Sequence, residues 1–210
     1  MGEAARRAIA RQRQEELLSK VDIPRLAGAI RKLCTAASSN LGTDCYIRHS
    51  IAREILARLG VEATLCIGYA AWRTGESDPS IICHAPVPGA VAPPGAAHFH
   101  VWLTIGNQLL DLTTYQLRLK GIFMDSLDGG HTEVDWCPDY LFCPLRSVSS
   151  LHDVRILGTG LYYYESNRDV ARRVIESASE PDAGDVETAW LLYLNSDIVV
   201  YGPNDIKRKR

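Results

Sequence analysis

Cys45, His100 and Asp111 supply a thiol, an imidazole and a carboxylate, in that order along the chain. Acyl transfer by a cysteine nucleophile needs these three groups. The thiolate attacks the acyl carbon, the imidazole moves the proton, and the carboxylate orients the imidazole. Whether the three side chains can act together depends on the elements that carry them.

Cys45 lies where a helix is predicted to begin. Thr43 or Asp44 can cap that helix, and Gly60 can end it. Free N–H groups and the helix dipole at such a position favour a thiolate, although the Asp44 carboxylate opposes it. We therefore expect Cys45 to have a lowered pKa. The apolar positions of this helix recur every four residues, at Ile47, Ile51, Ile55 and Leu59.

His100 and Asp111 lie on the two strands of a predicted hairpin within residues 99–113. Its turn is the Gly106-Asn107 pair, which is typical of two-residue hairpin loops. With this turn Ile105 pairs with Gln108, and His100 becomes a diagonal neighbour of Asp111 on the same face. The register therefore predicts that the imidazole and the carboxylate are within reach of each other.

The other five cysteines are predicted to be ordinary thiols. They lie late in a helix, within a strand, in a loop or directly before prolines, where no helix N-terminus favours the thiolate. Because the sequence contains no CxxC pairs, we expect these cysteines to be free thiols rather than zinc ligands. These cysteines are Cys34, Cys66, Cys83, Cys137 and Cys143.

The flanking sequence predicts helices before the first strand and a mixed region after the hairpin. Residues 1–20 form a charged helical arm, and Asp22 caps a second helix that ends near Ser38. Residues 63–72 are predicted to form a strand, and the proline-rich residues 74–97 are predicted to form a long loop. A further strand is expected in residues 155–166. Two helices then follow, the first capped by Ser166, with a loop at 180–185 between them.

Composition excludes several classes of protein. The 210 residues are 46% hydrophobic, which suits one soluble domain, and no apolar run approaches the roughly 20 residues of a membrane span. No secretory signal is recognisable, so we expect a cytoplasmic protein. The net charge is −2; without the four basic residues 207–210 it is −6, which argues against nucleic-acid binding. The basic tail is expected to be solvated.

Several short patterns together resemble the transglutaminase-like branch of the papain-like cysteine protease superfamily. A cysteine opens a helix that ends in LGV, and TLCIGY, HVW and LLDLT follow. Trp102 matches the tryptophan of the family's H-x-W pattern. The resemblance covers roughly residues 40–115 and extends to the leader peptidases that mature lasso peptides. Arylamine N-acetyltransferases share the order of the triad, but no matching arginine-rich motif precedes Cys45.

The resemblance implies an α+β fold in which N-terminal helices pack on an antiparallel sheet. It implies that Cys45 is the nucleophile, His100 the general base and then acid, and Asp111 the orienting group. The expected activity is peptide or isopeptide hydrolysis, or transamidation, on a peptide or protein substrate without a cofactor. We expect residues 1–210 to form a single domain. The sequence does not predict the oligomeric state.

Two other functions remain open from the sequence. The domain can be a catalytically silent binding module that uses the N-terminal helix as its interaction arm. Alternatively, His98 and His100 can face the same side of a strand and hold a metal ion. His49, one turn after Cys45, is a second candidate imidazole, although an exposed or capped polar role is expected for it. No role is assigned to His84, His131 or His152, and Tyr162–Tyr164 are expected to pack within a strand.

Overall fold

The chain folds into an α+β structure with an antiparallel sheet, as the sequence predicts. The computed structural model describes residues 2–38, 41–77, 80–85 and 98–205. The helices are α1 (Glu3–Leu18), α2 (Ile23–Ala37), α3 (Cys45–Arg58), α4 (Leu117–Asp128), α5 (Leu151–Ile156), α6 (Arg168–Ser177) and α7 (Ala183–Leu194). The strands are β1 (Thr64–Arg73), β2 (Ile81–His84), β3 (His100–Ile105), β4 (Gln108–Asp111), β5 (Leu141–Pro144) and β6 (Tyr162–Ser166).

Strand β1 organises the sheet because it pairs with three other strands. Its first half pairs with β3, and its second half pairs with both β2 and β6. Since β2 and β6 share the same partner residues, they lie on opposite edges of β1. The sheet continues from β3 through β4 to β5, and every pairing is antiparallel.

The main apolar core lies between the sheet and helices α2, α3 and α7. Its fully buried members include Leu26, Ile30 and Ile55. The helical spacing of apolar residues in α2 predicts this packing, and the Asp22 carboxylate caps α2 by accepting from the Arg25 N–H at 3.0 Å. Helix α3 also contacts β3, and Cys45, the first residue of α3, packs in one apolar cluster with Val101 of β3.

Three local predictions are wrong, and one of them is the loop at 180–185, because α7 already begins at Ala183. Residues 81–84 form strand β2 within the stretch predicted as a loop, because they pair with Ala70–Arg73 of β1. Helix α6 is capped by Asn167 rather than by Ser166, since the Asn167 side chain accepts from the N–H groups of Asp169 and Val170. Residues 78–79 and 86–97 of the predicted loop lie outside the described residues, as does the basic tail.

Within the described part of the chain, no helix has the length and apolar composition needed to cross a bilayer.

Candidate active site

The predicted register of the hairpin is confirmed. Ile105 pairs with Gln108 and Leu103 with Leu110 around the turn. Gly106 adopts a φ of +57°, which glycine tolerates without strain. The hairpin thereby brings His100 and Asp111 together: Nε2 of His100 lies 2.8 Å from Oδ2 of Asp111.

The Asp111 carboxylate accepts four hydrogen bonds in a fully buried position. Oδ1 accepts from the N–H and the hydroxyl of Thr113, both at 2.8 Å. Oδ2 accepts from His100 and, at 2.7 Å, from the hydroxyl of Tyr164. Burial alone would raise the pKa of Asp111, but its interactions with His100 hold it well below its usual range. The carboxylate is therefore ionised.

This ionised carboxylate fixes the tautomer of His100. A carboxylate only accepts hydrogen bonds, so the proton of the neutral imidazole is on Nε2 and Nδ1 carries a lone pair. Burial lowers the pKa of His100, which favours the neutral ring. Nδ1 is buried and has no hydrogen-bond partner in the described structure. His100 thus presents an unoccupied base inside the protein.

Cys45 is the first residue of α3 and is 7% exposed. Burial raises the pKa of its thiol to about 11, against the lowering effects of Lys120 and of the backbone N–H of Val101. The expectation of a lowered pKa is therefore wrong, because the loss of water on burial outweighs the effect of the helix N-terminus. Among the described residues, no hydrogen bond joins the thiol to Nδ1 of His100.

Helix α6 contributes to the burial of Cys45. Val170 and Val174, the two buried residues of this amphipathic helix, share an apolar cluster with Cys45, Ile67 and Val101. Tyr46, Tyr69 and Phe99 pack against the same cluster. This apolar cover leaves little of Cys45 accessible to solvent.

His49 is buried rather than exposed, and both of its ring nitrogens are occupied. Nδ1 lies 2.7 Å from the carbonyl oxygen of Cys45, and Nε2 accepts from the N–H of Leu112 at 3.0 Å. The carbonyl can only accept and the amide can only donate, so the proton is on Nδ1. Burial lowers the pKa of His49 to about 4. This histidine joins α3 to the end of β4 and has no free nitrogen for catalysis.

Asp44 precedes Cys45 but its charge is balanced. The guanidinium Nε of Arg48 lies 2.7 Å from Oδ1 of Asp44, and Gln116 donates to the same oxygen at 3.2 Å. The carboxylate makes no side-chain cap for α3, although Asp44 occupies the capping position. Because Arg48 is completely buried beside it, the opposition of Asp44 to a Cys45 thiolate is reduced.

Aromatic rings enclose the histidine. The ring of Trp72 meets that of His100 edge-on with centroids 4.8 Å apart, and the ring of Trp102 stacks on it at 6.3 Å. Nε1 of Trp72 donates to the Tyr164 hydroxyl at 2.8 Å, which in turn donates to Asp111. These contacts fix the ring of His100 in place.

Sequence reasoning missed three residues of this site: His84, Tyr164 and Lys120. The His84 ring stacks on that of His100, with centroids 5.8 Å apart, and its buried Nε2 has no partner in the described structure. Strand β2 carries it, within the predicted loop. Tyr164 belongs to the run of three tyrosines, where alternation alone does not show which ring faces a carboxylate.

The unusual position of Lys120 could have been found from the sequence. It falls on the same face of α4 as Leu117 and Met124, at spacings of three and four residues, so the helix presents a lysine within an apolar stripe. The side chain is 5% exposed, and its Nζ lies 5.1 Å from the centroid of Trp72.

The predicted histidine pair does not share one environment. His98 precedes β3 and is exposed, whereas His100 is completely buried and bonded to Asp111. Across the described ranges, no group of three or more His, Cys, Asp or Glu side chains is arranged to hold a metal ion. No pair of the six cysteines forms a disulfide.

Comparisons with known proteins support the fold alone. No protein-family model matches the chain, and no curated protein matches it significantly. A solved structure described as "The crystal structure of genomics APC5867" superposes with a TM-score of 0.55 at 18% sequence identity. The match covers 82% of this chain and 78% of that one. At this identity the similarity establishes a shared α+β architecture.

Proposed function

We propose that this protein is a papain-like, transglutaminase-like cysteine enzyme that transfers the acyl group of an amide substrate. The observation that carries the proposal is the buried His100–Asp111 hydrogen bond of 2.8 Å, which leaves Nδ1 of His100 without a partner. A buried base with a free lone pair is costly unless it has a proton to accept. The proposed donor of that proton is the thiol of Cys45.

In the first half of the reaction, the S–H bond of Cys45 breaks and its proton passes to Nδ1 of His100. The sulfur attacks the carbonyl carbon of the substrate, and the C=O electron pair moves to the oxygen. When the tetrahedral intermediate collapses, the C–N bond breaks and the amine leaves with the proton from His100. The product is a thioester on Cys45.

In the second half, water or an amine attacks the thioester while His100 accepts a proton from it. The C–S bond breaks, and the proton on His100 returns to the sulfur. Water gives peptide or isopeptide hydrolysis, and an amine gives transamidation. Asp111 keeps the Nε2–H tautomer throughout and stabilises the imidazolium when it forms. The substrate class that suits this chemistry is a peptide or protein amide.

A small activated ester tests the proposal without knowledge of the natural substrate. The wild-type protein should release nitrophenol from p-nitrophenyl acetate, and Cys45→Ser should reduce the rate to the uncatalysed background. His100→Gln should reduce it by about 100-fold or more, since general base catalysis contributes at least that much.

The chain offers a matched control for the nucleophile. Cys34 is 4% exposed, and burial raises the pKa of its thiol to about 11, as it does for Cys45. No histidine–carboxylate pair accompanies it among its hydrogen-bonded neighbours in the described structure. Cys34→Ser should retain the wild-type rate. Equal activity of Cys45→Ser and the wild type would contradict the proposal and favour a catalytically silent binding module.

A further inference from the structure

Helix α4 is apolar on two sides. On its inner side, Leu117 belongs to a buried cluster with Trp72 and Ile82, and Met124 packs against the same cluster. Its outer side carries four more large apolar side chains, which are between 49% and 71% exposed. A surface helix normally has one apolar stripe, and that stripe faces the core. The second stripe therefore indicates contact with another molecule. Its members are Leu119, Ile122, Phe123 and Leu127.

These four side chains form one continuous surface, which we call the α4 stripe. They are spaced three or four residues apart, so they lie above one another on the same side of the helix. At 1.5 Å per residue, the stripe is about 12 Å long. Together its side chains expose on the order of 400 Å² of apolar surface. An exposed apolar patch of this size marks an interaction site, unlike apolar residues scattered singly over a surface.

The area of the α4 stripe suits a protein–protein interface of ordinary size. Such an interface buries about 800 Å² on each partner, and about 57% of that area is apolar. This corresponds to about 450 Å² of apolar surface on each partner, which is close to the area of the stripe. The stripe with its polar border is therefore large enough for a stable dimer.

Two opposite charges border the α4 stripe on one flank. Arg118 and Asp125 are seven residues apart, which is nearly two full turns, so both lie along the same side of the stripe. Arg118 is exposed. Asp125 accepts from the N–H and the hydroxyl of Thr132, and these hydrogen bonds lower its pKa, so its carboxylate is charged. This flank is positive near the start of the helix and negative near its end.

We propose that the α4 stripe packs against the same stripe of a second copy of this chain, with the two helices antiparallel. A two-fold axis perpendicular to the pair of helices brings the same flank of both copies together in reverse order. Arg118 of each copy then lies opposite Asp125 of the other copy. This contact buries both stripes and pairs the charges that border them. The inference does not depend on the proposed function.

Sedimentation velocity over a range of protein concentrations tests for the dimer. The wild type should sediment as a dimer at micromolar concentrations. Ile122→Asp should raise the dissociation constant at least about 100-fold, because it places two carboxylates close together at the two-fold axis. Ile175→Asp is the matched control, since it changes an isoleucine of similar exposure on α6 and should leave the dimer intact.

Cysteine cross-linking tests the antiparallel arrangement. With Arg118 opposite Asp125, the two copies of residue 122 are offset by about 1.5 Å along the helices, and the two copies of residue 127 by about 16 Å. A disulfide needs Cα atoms within about 7 Å of each other. Under an added mild oxidant, Ile122→Cys should therefore form a disulfide between the two copies, and Leu127→Cys should not. Peptide mapping by mass spectrometry distinguishes this bond from any that involves the six native cysteines.

Three results would overturn the proposal. A wild type that is monomeric at every concentration would leave a different protein as the occupant of the stripe. A dimer that Ile122→Asp does not weaken would use another face. Equal cross-linking of the two cysteine variants would contradict the antiparallel arrangement. If Ile122→Asp does not fold, Arg118→Glu tests the same contact from its flank, and it should raise the dissociation constant about tenfold by replacing attraction with repulsion.

Discussion

Replacing His49 with glutamine should remove part of the acid sensitivity of this protein. The imidazole donates to the Cys45 carbonyl and accepts from the N–H of Leu112. A glutamine amide can make both bonds, because it has an NH₂ donor and a carbonyl acceptor, but it does not titrate. His49→Gln therefore separates the protonation of this ring from its structural contacts.

The size of the expected change in the free energy of unfolding follows from the pKa of His49. Burial lowers it from 6.5 to about 4 in the folded protein. The stability that this neutral ring contributes is fully present above about pH 6.5 and is lost as the pH falls through the folded value. The difference of about 2.5 pH units, at about 1.4 kcal/mol each, corresponds to about 3.5 kcal/mol. About 2.5 kcal/mol of this is lost by about pH 4.5.

Urea denaturation at about pH 7.5 and about pH 4.5 measures the effect. Other groups destabilise the wild type and the variant equally on acidification, so the difference between their losses isolates His49. His49→Gln should lose about 2.5 kcal/mol less than the wild type. The control is His152→Gln, which changes an exposed histidine of α5 and should lose as much as the wild type. Equal losses in the wild type and His49→Gln would refute the assignment of His49 as a buried neutral ring.

Three further substitutions test the surroundings of the site. Tyr164→Phe should lower the free energy of unfolding by about 2 kcal/mol, because it leaves the buried Trp72 N–H unpaired. Arg48→Met should cost about 3–5 kcal/mol, since it strands the buried carboxylate of its partner. Urea denaturation measures both. Val174→Ala removes two buried methyl groups, each worth about 1 kcal/mol, and should therefore loosen the packing of α6 on Cys45. The rate at which iodoacetamide labels Cys45 should then increase several-fold.

Each of these substitutions has a matched control. Tyr163→Phe changes the neighbouring tyrosine, whose hydroxyl donates to the exposed carboxylate of Glu165, and should cost less than Tyr164→Phe. Arg58→Met breaks an exposed ion pair and should cost much less than Arg48→Met. Ile175→Ala shortens an exposed side chain of α6 and should leave Cys45 labelling unchanged. Equal effects within any pair would contradict the packing described for that residue.

The parts of the site that follow local rules were predictable from the sequence. The Gly106-Asn107 turn sets the register of β3 and β4, and the period of two along a strand then places His100 and Asp111 on one face. The spacing of apolar residues and the Asp22 cap likewise predict α2. These features depend on interactions between residues close in the chain.

The parts that depend on long-range packing were not predictable. Strand β2 forms because β1 offers it an open edge, and this places His84 against His100. The pKa of Cys45 is set by how completely the sheet and α6 exclude water, which the position of a cysteine at a helix start does not reveal. Composition and spacing also give no indication that Tyr164 reaches the Asp111 carboxylate.

Mapping the acyl group after a single turnover tests the proposed nucleophile most directly. The protein is mixed with p-nitrophenyl acetate, quenched in acid and digested, and the acetylated peptides are identified by mass spectrometry. The proposed chemistry predicts a thioester on Cys45 that is absent in Cys45→Ser and forms much more slowly in His100→Gln. Acetyl groups spread over the other cysteines and lysines, with none on Cys45, would contradict it.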